Sequence, residues 1–359
     1  MYIGAENIIS PLGSTAEENF GALSKNSSGI KKTEAAGFDK KSIFFSRFAE
    51  NTNDFSFDAL LKNCLKNVRS KISPDIFSSE KTLLILSTTK GDIKSENVNP
   101  IGKSVSELQN SFELKHAPIV VSNACASGVI AINTAANFIR AGVYETIIVA
   151  GCDVISDFVT YGFECLFAIS DKPCAPFDKN RTGITLGEGC AAVVLSSHKT
   201  IFNVEPMRFI EGTSGNDANH ISGPSRTGEG LYRTVKKTLE LAGITEKDID
   251  FISAHGTATV FNDDMESVAF DRLNMQHIPL NSLKGYYGHT LGAAGIIETA
   301  ICLQSMRNNT LIKSMGFEEE GTVKKINIIS ENKKLSLETV LKTSSGFGGV
   351  NASLLLKKS

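Results

Sequence analysis

Apolar and polar positions follow two rhythms along this chain. Near-continuous apolar runs recur at TLLILST (82–88), APIVVS (117–122), ETIIVAG (145–151), CAAVVLS (190–196), DFISAHG (250–256) and ASLLLKK (352–358). Runs without strict alternation predict strands buried on both faces. Between them the apolar positions take a helical period, over 125–140, ending at RAG, and over 292–307, GAAGIIETAICLQSMR. Strands alternating with helices predict an α/β fold with a layered sheet core. The polar stretch 91–113 reads as a surface excursion containing a helix. No low-complexity segment or long linker interrupts the pattern.

The rhythm repeats faintly. CASGVIAINTAANF (125–138) resembles GAAGIIETAICLQS (292–305), and GCAAVVLSS (189–197) resembles VNASLLLKK (350–358). Two elements matching in the same order predict two halves of like architecture, roughly 1–200 and 201–359.

Composition narrows the classes. The chain has 359 residues, 41% hydrophobic and 21% charged, enough to bury a sizeable core. A net charge of −2 gives no reason to expect nucleic acid or an anionic membrane as partner. The start, MYIGAENIISPLG, lacks the charged and apolar regions of a signal peptide, and no apolar run reaches the length of a membrane span. The seven cysteines are scattered with no CxxC pair, which fits free thiols in a reducing cytoplasm. The six histidines form no metal-binding spacing, so no metal is expected.

Four stretches could carry chemistry. In VSNACASGVI, Cys125 stands between an apolar run and a helical pattern, among small residues. A helix start favours a thiolate and would pull the thiol below its ordinary value. A buried structural cysteine is the commoner fate of this residue type. In DFISAHGTATVFND, His255 follows a strand, with Thr257 and Thr259 beside it. Strand carboxyl ends bind ligands in α/β sheets, but a satisfied loop histidine fits equally. NSLKGYYGHTLGAAGIIE holds Lys284, His289 and Glu298; the carboxylate, set among small helix residues, calls for Lys284 as partner, or the loop is a plain cap. SSGFGGVNAS could present backbone N–H groups to an oxyanion, and reads equally as a hairpin turn.

Taken in order, these motifs resemble the β-ketoacyl-acyl-carrier-protein synthases of the thiolase-like superfamily. NACASG is similar to that family's nucleophile motif, AHGTAT and KGYYGHTLGAAGIIE to its histidine motifs, GFGGVNAS to its closing loop. PFDKNRTGITLGEG (176–189) and IISPLGSTAEENFGALSKNSSGI (8–30) extend the likeness over essentially the whole chain. The resemblance implies a duplicated five-layer αβαβα fold. It implies a decarboxylative condensation in fatty acid, polyketide or polyene biosynthesis, with the acyl group held on Cys125. His255 and His289 would bind the malonyl thioester oxygen, and the backbone N–H groups of Cys125 and Phe347 the second oxyanion. Lys284 and Glu298 would support the histidine loop. Thr257, Thr259, Ser345 and Phe347 would meet the substrate's pantetheine, and Arg181 the carrier protein. No cofactor is implied beyond phosphopantetheine on the carrier. The expected partners are acyl carrier protein and a second subunit, as homodimer or as heterodimer with a synthase-like chain.

The chain departs from the family's pattern in places. The segments between STTKG and APIVVS, and between LFAIS and PFDKN, look short. Ser345 stands where many members carry a gating phenylalanine; Ala258, Val260 and Val350 replace common residues; Tyr286 and Tyr287 would add bulk near the site. These changes suggest a specialised synthase. The rival readings are a thiolase or coenzyme A-dependent enzyme, and a non-catalytic, chain-length-determining subunit.

Overall fold

The computed structural model describes residues 1–38, 40–49, 55–93, 98–217 and 223–359. Ten strands form one sheet: β1 (Tyr2–Ile9), β2 (Thr82–Ser87), β3 (Ile119–Val121), β4 (Thr146–Asp153), β5 (Gly189–Ser196), β6 (Met207–Asn216), β7 (Phe251–Ser253), β8 (Leu280–Asn281), β9 (Thr339–Gly346) and β10 (Val350–Lys357). β1 and β6 meet at the centre, with Tyr2 opposite Arg208. Outward from that seam the order is β1-β5-β4-β2-β3 on one side and β6-β10-β9-β7-β8 on the other. The second order is the first displaced by five strands. The hydrogen-bonding sense matches too: β1/β5, β5/β4, β6/β10 and β10/β9 are antiparallel, while β4/β2, β2/β3, β9/β7 and β7/β8 are parallel.

The helices are α1 (Ala16–Ser24), α2 (Phe57–Arg69), α3 (Pro100–Ser111), α4 (Ser127–Arg140), α5 (Asp157–Cys165), α6 (Glu229–Ala242), α7 (Val260–Arg272), α8 (Lys284–Tyr287) and α9 (Ala294–Asn308). Leu61, Leu65 and Leu108 of α2 and α3 pack on Leu84, Ile148 and Val194, the outer face of the first five strands. Leu231 and Phe270 of α6 and α7 pack on Ile252, Leu341 and Leu355 of the last five. Between the inner faces lie α4 and α9, with Ile132 and Ile296 against Ile147, Val193 and Leu354. The result is five layers, αβαβα. Every residue of α9 from Ala294 to Met306 is buried, as expected of a helix enclosed on all sides.

α4 and α9 cross where their backbones nearly touch. A Cβ on Gly128 would stand 2.9 Å from the Ile296 nitrogen, and one on Gly295 2.7 Å from the Val129 nitrogen. Two glycines at one crossing let the helices approach closer than any side chain permits. Each helix is preceded by a non-glycine residue in the left-handed region, Ala124 at φ 46° and Leu291 at φ 51°. Such backbone costs roughly 1–3 kcal/mol and persists where the surroundings over-determine it.

Six of the ten sheet strands lie on the apolar runs, β3 and β7 being shorter than theirs, while β1, β6, β8 and β9 lie outside them. The excursion 91–113 does contain a helix, α3; residues 94–97 lie outside the described part. Cys125 stands in the turn before α4, two residues ahead of its first helical residue, rather than opening it. No described helix is long and apolar enough to cross a membrane.

Candidate active site

The carboxyl ends of the strands, the turn before α4 and the β9–β10 hairpin converge on one cleft of about 520 Å³. Cys125, His255 and His289 line it and are themselves buried. The Cys125 sulfur and one ring nitrogen of each histidine lie within 4.8 Å of one another. The imidazoles meet edge to face, ring centres 5.3 Å apart. Phe163, Ile184 and the exposed Leu166, Phe167 and Phe261 make the cleft's walls and mouth apolar.

Both histidines have their tautomer fixed. The Leu291 N–H donates to Nδ1 of His289 at 3.2 Å. An accepting Nδ1 leaves the ring proton on Nε2, and that atom makes no hydrogen bond among the described residues. Lys284 places Nζ 3.3 Å from Nδ1 of His255 and 2.5 Å from the His255 carbonyl. An ammonium only donates, so this Nδ1 accepts as well, and Nε2 carries the proton. Burial holds both rings well below the ordinary histidine range, and the Lys284 charge acts in the same direction. They are neutral donors. The same atoms would ligate a cation only after losing both Nε2 protons.

The thiol differs from the expectation drawn from its helix. Burial pushes Cys125 up to about 11, against a downward pull from Lys284 and from the N–H groups of Phe347 and of Cys125 itself; Asp153 adds to the rise. Desolvation therefore outweighs the helix start, and the resting group is a thiol. The two N–H groups that face the sulfur come from the turn before α4 and from the β9–β10 hairpin. Ser344 on β9 holds the Cys125 carbonyl at 3.1 Å, fixing the first N–H relative to the second.

The supporting residues extend beyond the sequence motifs. Lys284 reaches Glu298 at 2.8 Å, and Lys342 reaches the other oxygen of the same carboxylate at 2.7 Å. Glu298 sits below the usual carboxylate range: burial pushes it up, and the two ammoniums more than offset this. On α7, Glu266 accepts the N–H groups of His255 and Gly256, and Asp263 those of Thr257 and Phe177. Burial, with Asp263 nearby, raises Glu266 to about 7. Lys342, Glu266 and Asp263 were not visible as site residues in the sequence. A lysine inside a strand otherwise buried on both faces was the one available signal for Lys342.

Other expected residues fall into two groups. Thr257, Thr259, Ser345 and Phe347 line the cleft. The threonine hydroxyls bond each other at 2.8 Å, Ser345 bonds Asn351 at 2.8 Å, and the Phe347 ring packs on Phe163. Arg181 is a correction. Its guanidinium is buried, donating to Asp264 and to the carbonyls of Asp178 and Gly321. It ties the 176–182 loop to α7 and cannot meet a carrier protein. Tyr286 and Tyr287 are a second correction: both are buried in the central cluster and neither lines the cleft.

The family models for the N-terminal and C-terminal domains of beta-ketoacyl synthase match residues 104–200 and 209–318. The chain belongs to the β-ketoacyl synthase family. It is 34% identical over 254 residues to 3-oxoacyl-[acyl-carrier-protein] synthase 2 of Rhizobium meliloti, covering 66% of this chain and 60% of that protein. It is 30% identical over 253 residues to the tetracenomycin polyketide synthase ketoacyl synthase alpha subunit of Streptomyces glaucescens, covering 67% and 59%. The matches thus span about three-fifths of these relatives. The fold is similar to that of a ketosynthase solved with its chain length factor from Xenorhabdus doucetiae, with a TM-score of 0.86 at 24% identity, covering 100% of this chain and 98% of that one.

Proposed function

We propose that this synthase-family chain condenses an acyl group with malonyl carrier protein, releasing CO₂. The observation that carries the reading is the pair of Nε2–H donors beside Cys125, each with its Nδ1 already occupied. Neither ring offers a free basic nitrogen to the thiol, as a protease-like pair would. Both can donate to an oxygen that gains charge.

In the first step the Cys125 sulfur attacks the acyl thioester carbonyl. The carrier's thiol leaves with the thiol proton, and the acyl group remains on Cys125. In the second, malonyl carrier protein loses CO₂. The electron pair of the broken C–C bond forms an enolate whose oxygen is held by His255 and His289. Its carbon attacks the acyl carbonyl, the oxyanion lies between the N–H groups of Cys125 and Phe347, and collapse expels the Cys125 sulfur, which regains a proton. The products are 3-oxoacyl carrier protein and CO₂. This chemistry calls on no metal or organic cofactor beyond the carrier's phosphopantetheine.

Thr257, Thr259, Ser345 and Phe347 are proposed to meet the pantetheine arm. Lys284 and Glu298 are proposed to hold the histidine loop. The matching strand orders support two halves, 1–200 with the nucleophile and 201–359 with both histidines. The expected partners are acyl carrier protein and a second subunit; the exposed Leu166 and Phe167 at the cleft, and the chain length factor bound by the Xenorhabdus relative, support a synthase-like one. The compartment proposed is the cytoplasm.

The test is intact-mass measurement after exposure to acyl carrier protein, with assay of CO₂ release from malonyl carrier protein. The expected result is an acyl adduct that Cys125→Ala lacks. A parent protein that takes no adduct and releases no CO₂, with or without a synthase-like partner, overturns the reading.

A further inference from the structure

Lys342 belongs to none of the motifs, yet it is fully buried, with its ammonium in a cage of four oxygens. Nζ lies 2.7 Å from Oε2 of Glu298, 2.6 Å from the Thr343 carbonyl, 3.2 Å from that of Ser253 and 3.3 Å from that of Ala254. Ser253 and Ala254 are the two residues before His255. On the other side of Glu298, Lys284 takes Oε1 and turns to Nδ1 of His255. Two ammoniums therefore share one carboxylate, and the buried unit carries one net positive charge directly behind the imidazole.

A structural need does not account for this. Burying a charge is expensive, and an apolar residue of similar volume usually serves strand packing as well or better. One lysine would neutralise Glu298. The second holds the strand end before His255 by its carbonyls and leaves a surplus charge whose field reaches the ring.

We infer that Lys342 is a positioning residue for the enolate-forming half of the proposed reaction, its surplus charge, relayed by Glu298 and Lys284, keeping His255 a neutral Nε2–H donor. The inference rests on the proposed condensing activity. The field reaching His255 comes from several sides. Lys284 and Lys342 disfavour the imidazolium, as does His289 when charged; the Glu298 carboxylate opposes them. Cys125 faces the ring as a neutral thiol, and Glu266 holds the backbone N–H of His255. Removing one cation makes the imidazolium easier to form. The acid side of the decarboxylation profile must then move to higher pH.

The experiment measures two rates against pH: acyl loading of Cys125 by intact mass, and CO₂ release from malonyl carrier protein. In Lys342→Met the acid limb of CO₂ release is expected to move up by about one pH unit. At a fixed pH on that acid limb the rate is expected to fall about ten-fold, with loading falling less. Combining Lys342→Met with Glu298→Gln removes one charge of each sign and restores the single surplus. In that double variant the acid limb is expected back at the parent position. The single variant leaves Glu298 paired with Lys284, and the double variant keeps the parent's net charge, so together they separate the effect of charge from that of packing. An acid limb that stays at the parent position in Lys342→Met, or that moves in the double variant, overturns the inference. Equal loss of loading and CO₂ release in either variant also overturns it. The parent protein is assayed first: if it neither loads nor releases CO₂, the proposed activity has failed, which is a different result from an unshifted limb in an active parent.

Discussion

The turns before α4 and α9 share a backbone and differ in what fills them. Both pass through a left-handed residue, Ala124 or Leu291, and then reach a small residue, Cys125 or Gly292. Each carbonyl at that second position is held by a serine from the opposite half of the sheet, Ser344 for Cys125 and Ser87 for Gly292, at 3.1 and 2.8 Å. At α9 the N–H of Gly292 donates to Oδ2 of Asp153 at 2.8 Å, and Lys90 neutralises that carboxylate at 2.8 Å. Thr88 and Thr89 complete the shell. At α4 the corresponding N–H faces a thiol, and a second N–H arrives from the β9–β10 hairpin. One helix start is closed by the protein's own anion. At the other, the two N–H groups face the thiol and are proposed to receive the oxyanion that forms during reaction. A strained turn and a helix start are therefore scaffold, and what makes a site is the absence of an internal acceptor.

Breaking the closed turn has the largest expected effect. Lys90→Met leaves Asp153 without its cation in a fully buried place, and stability is expected to fall by about 3–5 kcal/mol, read by thermal or denaturant unfolding. A loss under 1 kcal/mol would show that the hydroxyl and N–H donors suffice. A change among the groups that line the cleft is expected to strike chemistry more than stability. His289→Ala removes one of the two proposed enolate donors, so CO₂ release from malonyl carrier protein is expected to fall about 10²–10³-fold while Cys125 still takes an acyl group. Equal loss of both steps counts against His289 as an enolate donor.

The crossing that both turns share is probed by Gly128→Ala. The new methyl meets the Ile296 nitrogen and the Gly295 Cα, at 2.9 and 3.1 Å, and neither is a flexible side-chain end. A loss of about 1–3 kcal/mol is expected in unfolding measurements, because the helices must separate. The smallest effect is a pH slope. With Cys125 at about 11, alkylation by iodoacetamide is expected to rise about ten-fold per pH unit between pH 7 and pH 10. A plateau below pH 9 would mean that the helix start outweighs burial after all. The histidines act on the other side of neutrality. Their folded values lie below the unfolded one, so the stability they contribute is present above about pH 6.5 and is lost as pH falls.

Much of this was legible in the chain. The apolar runs located six of the ten sheet strands, because residues buried on both faces of a sheet must be apolar at consecutive positions. Cys125, His255 and His289 stood out only as a set in fixed order, since each alone fits an ordinary structural role. Arg181 and the two tyrosines were misplaced for one reason: polarity and bulk say nothing about direction. A guanidinium beside a turn reads as surface, but the carboxylate of Asp264 on α7 and the carbonyls of two loops draw it inside. Lys342 was not legible as a site residue because, unlike Lys284, it shares no motif with Glu298 and meets it only through the fold.

By itself the sequence determined where six of the ten sheet strands and the two central helices lie, pointed to a repeat, and marked which side chains could react. Those properties depend on neighbours within a few residues, where the apolar rhythm and the motif spacing act. Tertiary structure decided the state of each reactive group. It placed the Leu291 N–H and the Lys284 ammonium on the inner nitrogens of the two histidines, buried the thiol, and gave one carboxylate two lysines. Protonation and tautomer are set by charges and donors within a few ångströms, and here those come from segments far apart in the chain.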